Sequence, residues 1–357
     1  MISLCIIAKN SEKIIKQCID SASKIAEEII VVDTGSTDST KKTAESLGAK
    51  VYDFKWINDF SKARNFAISL AKEEWILNLD TDETISFLDT DKIKNLIKDT
   101  RYLGYYLIQR NYTNRIGDFN FISCHDDKYE ESKIANGYIP KKIVRLFKNN
   151  PRIISEGVIH DSVILSIERI GINLIGDTNI PIHHSGFLNR NPEKDRGYID
   201  IEKRNIKNDF FQEYQIASQL HSLGELNEAL EHLTKSLSLN SSFYLSYLEI
   251  AIISIKKGKI KEAKPLLIES LRLKESEMAW DHLGIVEVYE NNFNRAIECF
   301  KKAISINPKN ADFHFNLAQT LEKIKNTEDA DKEFNIALKL NPSYKDKIEN
   351  IKIEKEE

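Results

Sequence analysis

The sequence predicts an α/β domain over residues 1–207, built on a mostly parallel sheet with flanking helices, and then an all-α repeat superhelix over residues 208–357. Two observations carry this. Short β-branched runs alternate with helical patterns through the first 80 residues, and a fixed spacing of small and turn residues recurs after residue 208. The length of 357 residues agrees, being long for one domain and comfortable for two.

In chain order, Ile2 to Ile7 reads as a strand and is followed by a helix with Ile15, Cys18, Ile19 and Ala22 on one face. Ile29 to Val32, Val51 to Phe54, an amphipathic stretch from Phe60 to Ala71, and Trp75 to Leu79 continue the series. Such βαβα alternation predicts parallel strands covered by helices, with ligands at the carboxyl ends of the strands. Tyr102 to Gln109, Lys142 to Phe147 and Ile170 to Ile175 read as further strands that extend the sheet. The charged stretch from Cys124 to Asn136 is poor in aliphatic residues, so a mobile surface loop is expected there, a candidate lid over the site.

Beyond residue 208, Gly224-(x4)-Ala229, Gly258-(x4)-Ala263, Asn291-(x4)-Ala296 and Lys325-(x4)-Ala330 recur at intervals of 34, 33 and 34 residues. Pro308 and Pro342 stand 12 residues after the last two alanines, with Ser241 and Glu275 at the matching places. This is tetratricopeptide periodicity, and it predicts four helical hairpins stacked into a short superhelix with a concave, partner-binding side. The charged segment from Ile351 to Glu357 is expected to fray.

Composition narrows the function. With 41% apolar and 30% charged residues the chain has material for cores and a wet surface. The net charge of −4 comes from 51 basic and 55 acidic residues spread along the chain, which argues against a nucleic-acid partner or a polybasic membrane patch. Cys5, Cys18, Cys124 and Cys299 form no CxxC pair, no start resembles a signal peptide, and no apolar run is long enough for a membrane span. A cytoplasmic protein with reduced thiols is the expectation.

Three polar clusters, Lys9-Asn10, Asp33-Thr34-Gly35-Ser36 and Asp80-Thr81-Asp82, fall at or just past strand ends. The strand Trp75-Ile76-Leu77-Asn78-Leu79 ends in Asp80-Thr81-Asp82-Glu83, and carboxylates buried there need a cation or hydrogen bonds. Two carboxylates one residue apart can reach a divalent metal that phosphate oxygens also bind; the structural alternative is a plain polar turn. Asp33-Thr34-Gly35-Ser36-Thr37-Asp38 follows the second strand, where Asp33 can accept from an N–H or a ribose hydroxyl, or the segment can simply cap a helix. Asp-Thr-Gly-Ser also marks aspartic proteases, but those need two such loops on β-rich scaffolds. Arg64 lies at the edge of the stripe made by Phe60, Ala63, Ala67, Leu70 and Ala71, so it leans inward and needs an anion, either a diphosphate or a structural carboxylate. Further on, Glu156 to Asp161 and His183 to Phe187 set titratable groups among apolar residues, as candidates for a base or a metal ligand.

Taken together, Ile2 to Asn10 (ISLCIIAKN), Val32 to Asp38 (VDTGSTD), Trp56 to Asn65 (WINDFSKARN) and LDTDE at 79–83 resemble the family 2 glycosyltransferases of the GT-A fold. With a His-acid pair, a His-x-Gly-aromatic element and tetratricopeptide-like helices following, the order looks like the sublancin S-glycosyltransferase type. The resemblance implies that Ala8, Lys9, Asn10 and Asp33 line the nucleotide pocket, that Arg64 approaches the diphosphate, and that Asp80, Thr81 and Asp82 meet the donor. It further implies that Asp80 and Asp82 hold Mn2+ or Mg2+, with His184 facing the metal. Relatives usually carry His-Glu where this chain has His160-Asp161, which makes Asp161 the expected general base and Glu156 the second choice. The implied reaction is an inverting transfer of a hexose from a UDP-sugar to a hydroxyl or thiol. The repeats suit a peptide or protein acceptor or a homodimer. A cell-envelope or lipid-linked acceptor, or a scaffold with a relic catalytic domain, are the other readings.

Overall fold

The computed structural model describes residues 1–115, 121–189 and 191–353. It divides into two compact units, Met1–Ile116 with Asp126–Arg190, and Gly117–His125 with Asn191–Glu357. The division falls ahead of the helix Pro192–Asn205 rather than at the 207/208 boundary expected from sequence.

The first unit alternates β1 (Ile2–Ala8), α1 (Ile15–Ala22), β2 (Glu28–Asp33), α2 (Thr40–Ser46), β3 (Lys50–Asp53), α3 (Phe60–Leu70) and β4 (Trp75–Asp80). These strands run parallel, and each of the expected elements is present. Side chains of successive strand residues point to opposite faces, so a sheet covered on both sides needs apolar residues at every position. β1 and β4 meet that need at nearly every position before their carboxyl ends, with Ser3 and Asn78 as buried polar exceptions. Ile2, Leu4 and Ile6 of β1 join Ile15, Cys18 and Ile19 of α1 in one core, while Cys5 joins Ile30, Val32, Ala67 and Ile76 in the other. Each fully buried Ile or Leu contributes about 1.5–3 kcal/mol, which is what seats α1 and α3 against the sheet.

Beyond β4 come β5 (Glu83–Thr84), α4 (Thr90–Leu96), β6 (Gly104–Thr113), the two-residue β7 (Ile122–Ser123), β8 (Gly137–Lys148), α5 (Ile164–Glu168) and β9 (Ile175–His184). The strand order is β3-β2-β1-β4-β8-β6-β9-β5, with β8 antiparallel to β4 and β6, and β9 parallel to β6. The sheet is thus mixed beyond β4. The expected strand from Ile170 to Ile175 is a turn instead, because Asn173 takes a left-handed φ of 61° and the strand begins only at Ile175.

The expected lid over residues 124–136 is corrected for the part lying in the first unit. Tyr129 is buried there, Asp127 pairs with Arg110, and a short 3-10 turn spans Glu130–Ile134. Its single large aromatic residue, Tyr129, gives this polar segment an anchor that composition conceals.

In the second unit α6 (Pro192–Asn205) precedes four hairpins. They are α7 (Phe210–Ser222) with α8 (Leu226–Leu239), α9 (Tyr244–Lys256) with α10 (Ile260–Leu273), α11 (Glu277–Tyr289) with α12 (Phe293–Ile306), and α13 (Ala311–Lys323) with α14 (Thr327–Leu340). The periodic alanines Ala229, Ala263, Ala296 and Ala330 are all fully buried, which explains why a small residue holds that phase. The terminal segment is helical through Ile353 as α15 (Lys345–Ile353), and the remainder of the expected frayed tail lies outside the described residues. No helix among the described residues is long and apolar enough to cross a membrane.

Candidate active site

Parallel pairing sets the carboxyl ends of β1, β2 and β4 side by side, with Ala8 opposite Asp33 and Ile7 opposite Asp80. The three polar clusters read from sequence therefore share one edge of the sheet. Asp33 is almost fully buried, and its Oδ1 accepts the N–H groups of Gly35 and Ser36 at 3.0 and 2.8 Å. Its Oδ2 is buried without a hydrogen-bond partner among the described residues. Asn10, at a left-handed φ of 48°, laces the loop after β1 to the loop after β2: its N–H donates to Ser36 Oγ at 2.9 Å and its Oδ1 accepts the Thr37 N–H at 2.8 Å. Ala8 is buried and its carbonyl accepts the Thr34 N–H at 2.9 Å, whereas Lys9 is exposed. Thr81 Oγ1 lies 3.1 Å from Ser11 Oγ, tying the acidic triplet to the same corner.

Arg64 sits on the buried side of α3, only 3% exposed, as its phase predicts. Its anions are carboxylates. Nε donates to Asp161 Oδ2 at 2.5 Å, Nη2 donates to Asp80 Oδ1 at 2.9 Å and to Asp161 Oδ1 at 3.3 Å, and Nη1 is buried with no partner among the described residues. Burial opposes the Arg64 charge, yet Asp161 and Asp80 outweigh it and raise its pKa further above the guanidinium range. Arg64 thus stands in an ion pair with two carboxylates, the structural partner that its helical phase also allowed.

The same geometry includes Asp161. Its side chain is 6% exposed, is gripped by Arg64 from one side, and accepts from Ser155 Oγ at 2.5 Å. A carboxylate so occupied holds Arg64 in place. Glu156 is paired with Arg169, and His160 follows it in the same turn. The turn carrying all three is fixed to the start of α3 by the Phe60 N–H, which donates to the Val158 carbonyl at 2.8 Å.

Arg145, on β8, is the residue that sequence reading missed. Its Nη2 donates to Asp80 Oδ2 at 2.5 Å and to Glu83 Oε1 at 3.0 Å. Glu83 is fully buried, receives Gln109 Nε2 at 2.5 Å, and accepts the Asp80 N–H at 2.9 Å through Oε2. Burial raises the Asp80 carboxyl, but Arg145 and then Arg64 overcome it and hold it well below the usual carboxylate range. At Glu83 burial prevails over Arg145, and the pKa is raised. Asp80 is thus a carboxylate shared by two arginines.

Strand alternation separates the two histidines of β9. His184 lies level with Asn111 and Glu83, whereas His183 is level with Arg110. His183 faces away from the acidic triplet, its Nδ1 2.6 Å from Tyr112 OH and its ring against Tyr129, and burial pushes its pKa down to about 4. His184 faces the triplet, its Nδ1 2.7 Å from Asn111 Oδ1 and its Nε2 3.4 Å from Asp82 Oδ2. Burial lowers the His184 pKa, but Asp82, Glu83 and Asp80 outweigh it, and the net shift is upward. The Ser185 N–H donates to the Asp82 carbonyl at 3.1 Å and holds the end of β9 against the triplet. The side chain of Phe187, the aromatic of the His-x-Gly-aromatic element, lies outside the described residues. Among the described residues no group of three His, Cys, Asp or Glu side chains is gathered to hold a metal; Asp82 and His184 are a pair.

Residues 3–154 match the model for glycosyl transferase family 2, and residues 284–325 and 311–344 match models of the TPR repeat and tetratricopeptide repeat. The chain carries a family 2 glycosyltransferase domain followed by tetratricopeptide repeats. The SPbeta prophage-derived glycosyltransferase SunS of Bacillus subtilis is 28% identical over 250 residues, covering 67% of this chain and 53% of SunS. An uncharacterized glycosyltransferase of Rickettsia bellii is 42% identical over 109 residues, 30% of this chain and 37% of that protein. A TPR repeat-containing protein of Synechococcus elongatus is 30% identical over 163 residues, 45% of this chain and 35% of that one. The chain thus spans between about a third and a half of the length of these curated relatives. Among solved structures, MamA is 23% identical with a TM-score of 0.39, covering 43% of this chain and 92% of MamA. The part of the site from Ser155 to Ser185, Asp161 and His184 among it, follows residue 154, where the family match ends.

Proposed function

We propose that this chain is a metal-dependent glycosyltransferase that moves a hexose from a UDP-sugar, with inversion, to a hydroxyl or thiol on a peptide or protein. The observation that carries this reading is the convergence of Asn10, Asp33, Asp82 and His184 at one edge of the sheet, where three parallel strands end. The family 2 domain and the glycosyltransferase names of its relatives support it.

Asp82 and His184 would hold the divalent cation, Mn2+ or Mg2+, which neutralises charge on the departing diphosphate when bound. The donor set fits. A carboxylate and an imidazole supply two ligands, and phosphate oxygens and water are the usual remainder for such ions. Asp80, shared between Arg64 and Arg145, keeps the triplet in place and stays ionised beside the phosphates. Asp33 and Asn10 shape the nucleotide pocket by fixing the two loops to each other, and the buried Asp33 Oδ2 offers an acceptor for the nucleoside. The repeat helices suit an acceptor that is itself a peptide or protein. Buried thiols at Cys5, Cys18 and Cys299 suit the cytoplasm; burial above all raises the Cys5 pKa to about 12 and keeps it a thiol.

The test is Mn2+-dependent hydrolysis of UDP-sugars, which needs no acceptor. Asp82→Ala is expected to lower the rate by about 100-fold or more, as loss of charge stabilisation in the transition state does. Full activity in that variant, with Mn2+ added, contradicts the assignment.

A further inference from the structure

We propose that Asn111 and Gly186 are positioning residues for the cation assigned above to Asp82 and His184, Asn111 by fixing the imidazole tautomer and Gly186 by keeping the gap between the two ligands open. The inference rests on that metal reading and assigns roles to Asn111, which no motif in the sequence marked, and to Gly186, which stood there only as the glycine of the His-x-Gly-aromatic element.

Asn111 lies level with His184 across the β6–β9 ladder. Its Nδ2 donates to the Ile139 carbonyl on β8 at 3.1 Å, so the amide is oriented and Oδ1 is the atom that meets His184 Nδ1 at 2.7 Å. An acceptor there requires the proton on Nδ1. In the neutral imidazole Nε2 then keeps its lone pair, and it faces Asp82 Oδ2 at 3.4 Å. Two acceptors facing each other at that distance repel unless a proton or a cation lies between them. Ligands about 2.0–2.2 Å from one ion, at near-right angles, lie about 3 Å apart, close to the spacing found here.

Gly186 guards the same gap. A Cβ at that position would stand 2.3 Å from Asp82 Oδ2 and 2.8 Å from His184 Nε2, so any side chain would fill the place where the ion belongs. With the Asp82 carbonyl tied to the Ser185 N–H, the backbone cannot drift to make room. The outer hydrogen bond and the missing side chain act on the ligands, not on substrate.

Mn2+ binding to the full chain, read from the electron paramagnetic resonance of free Mn2+ with and without UDP, tests this in the wild type, His184→Ala, Asn111→Leu, Asn111→Asp and Gly186→Ala. Asn111→Leu and Gly186→Ala are expected to weaken binding about 10- to 100-fold, while Asn111→Asp, which keeps an acceptor for Nδ1–H, stays within about threefold of the wild type. Nitrogen-15 NMR of the metal-free wild type, which does not depend on any variant folding, is expected to show neutral His184 protonated at Nδ1. Wild-type affinity in both Asn111→Leu and Gly186→Ala, alongside loss in His184→Ala, overturns this inference and leaves the metal reading intact; so does neutral His184 protonated at Nε2. Absence of Mn2+ binding in the wild type, or unchanged binding in His184→Ala, overturns both.

Discussion

Arg145 reaches Asp80 and Glu83 with one nitrogen, and that makes its loss costly to the first unit. Replacing it with leucine leaves Glu83 fully buried with Gln109 as its only side-chain donor among the described residues, and strips Asp80 of one of its two arginines. Removing one partner from a buried ion pair costs about 3–5 kcal/mol, so Arg145→Leu is expected to lower the urea midpoint sharply. Arg145→Lys, with a single ammonium, recovers part of the loss. A change under about 1 kcal/mol in Arg145→Leu contradicts the account of this network. The asymmetry with Arg64 shows what is legible in a sequence. Helical phase puts Arg64 inside, because the apolar residues around it define a stripe. Arg145 sits in Lys141-Lys142-Ile143-Val144-Arg145, where basic residues read as a solvated face, and only strand pairing reveals which of them turn inward. Asp161 was legible as a site residue, while its pairing with Arg64 was not, since nothing local in the sequence tells a carboxylate that takes protons from one that anchors a guanidinium.

At the scale of elements, the repeats offer a backbone test. Gly224, Gly258, Asn291 and Lys325 occupy the same turn in successive hairpins and take φ values of 83°, 73°, 61° and 63°. Glycine and asparagine adopt this left-handed region readily, and other residues pay about 1–2 kcal/mol there. Lys325→Gly is therefore expected to stabilise the chain by about 1 kcal/mol, and Gly258→Ala to destabilise it by a similar amount, both read by thermal or urea unfolding. The anchoring of α6 supplies a pH test. Glu228 on α8 accepts from Arg196 Nη1 at 2.7 Å and also from Lys203, and these hydrogen bonds bring its pKa down to about 2. A depressed carboxylate pKa means stability present above the unfolded value near 4.5 and lost as pH falls toward 2. Glu228→Gln is expected to be about 1 kcal/mol less stable than the wild type at pH 7, with the gap closing below about pH 4.5. A gap that persists at pH 3 rules out this linkage. Periodic features of this kind were readable because four copies repeat one phase. The strand β9 was not, because Gly176 and Pro181 interrupt its apolar pattern and its pairing with β6 shifts register between Asp177 and Pro181.

For the molecule as a whole, the two units differ in how much function they declare. The helical unit states its architecture plainly and its partner not at all, since the buried alanines and turn residues that define the repeat lie apart from any recognition surface. The α/β unit declares its chemistry through residues far apart in sequence, Asn10, Asp33, Asp82 and His184, which become one site only because β1, β2, β4 and β9 end together. Strand-end motifs made the first three legible; the paired register of β9 with β6 and β5 was needed to separate His184 from its neighbour. The central claim is that this edge takes a nucleoside diphosphate through a cation at Asp82 and His184. Calorimetric titration of UDP into the wild-type chain, with and without Mn2+, tests it most directly: the account predicts binding that requires Mn2+ and is weakened about 10-fold or more in Asp82→Ala. UDP binding of equal strength without metal, or no binding under either condition, would contradict it.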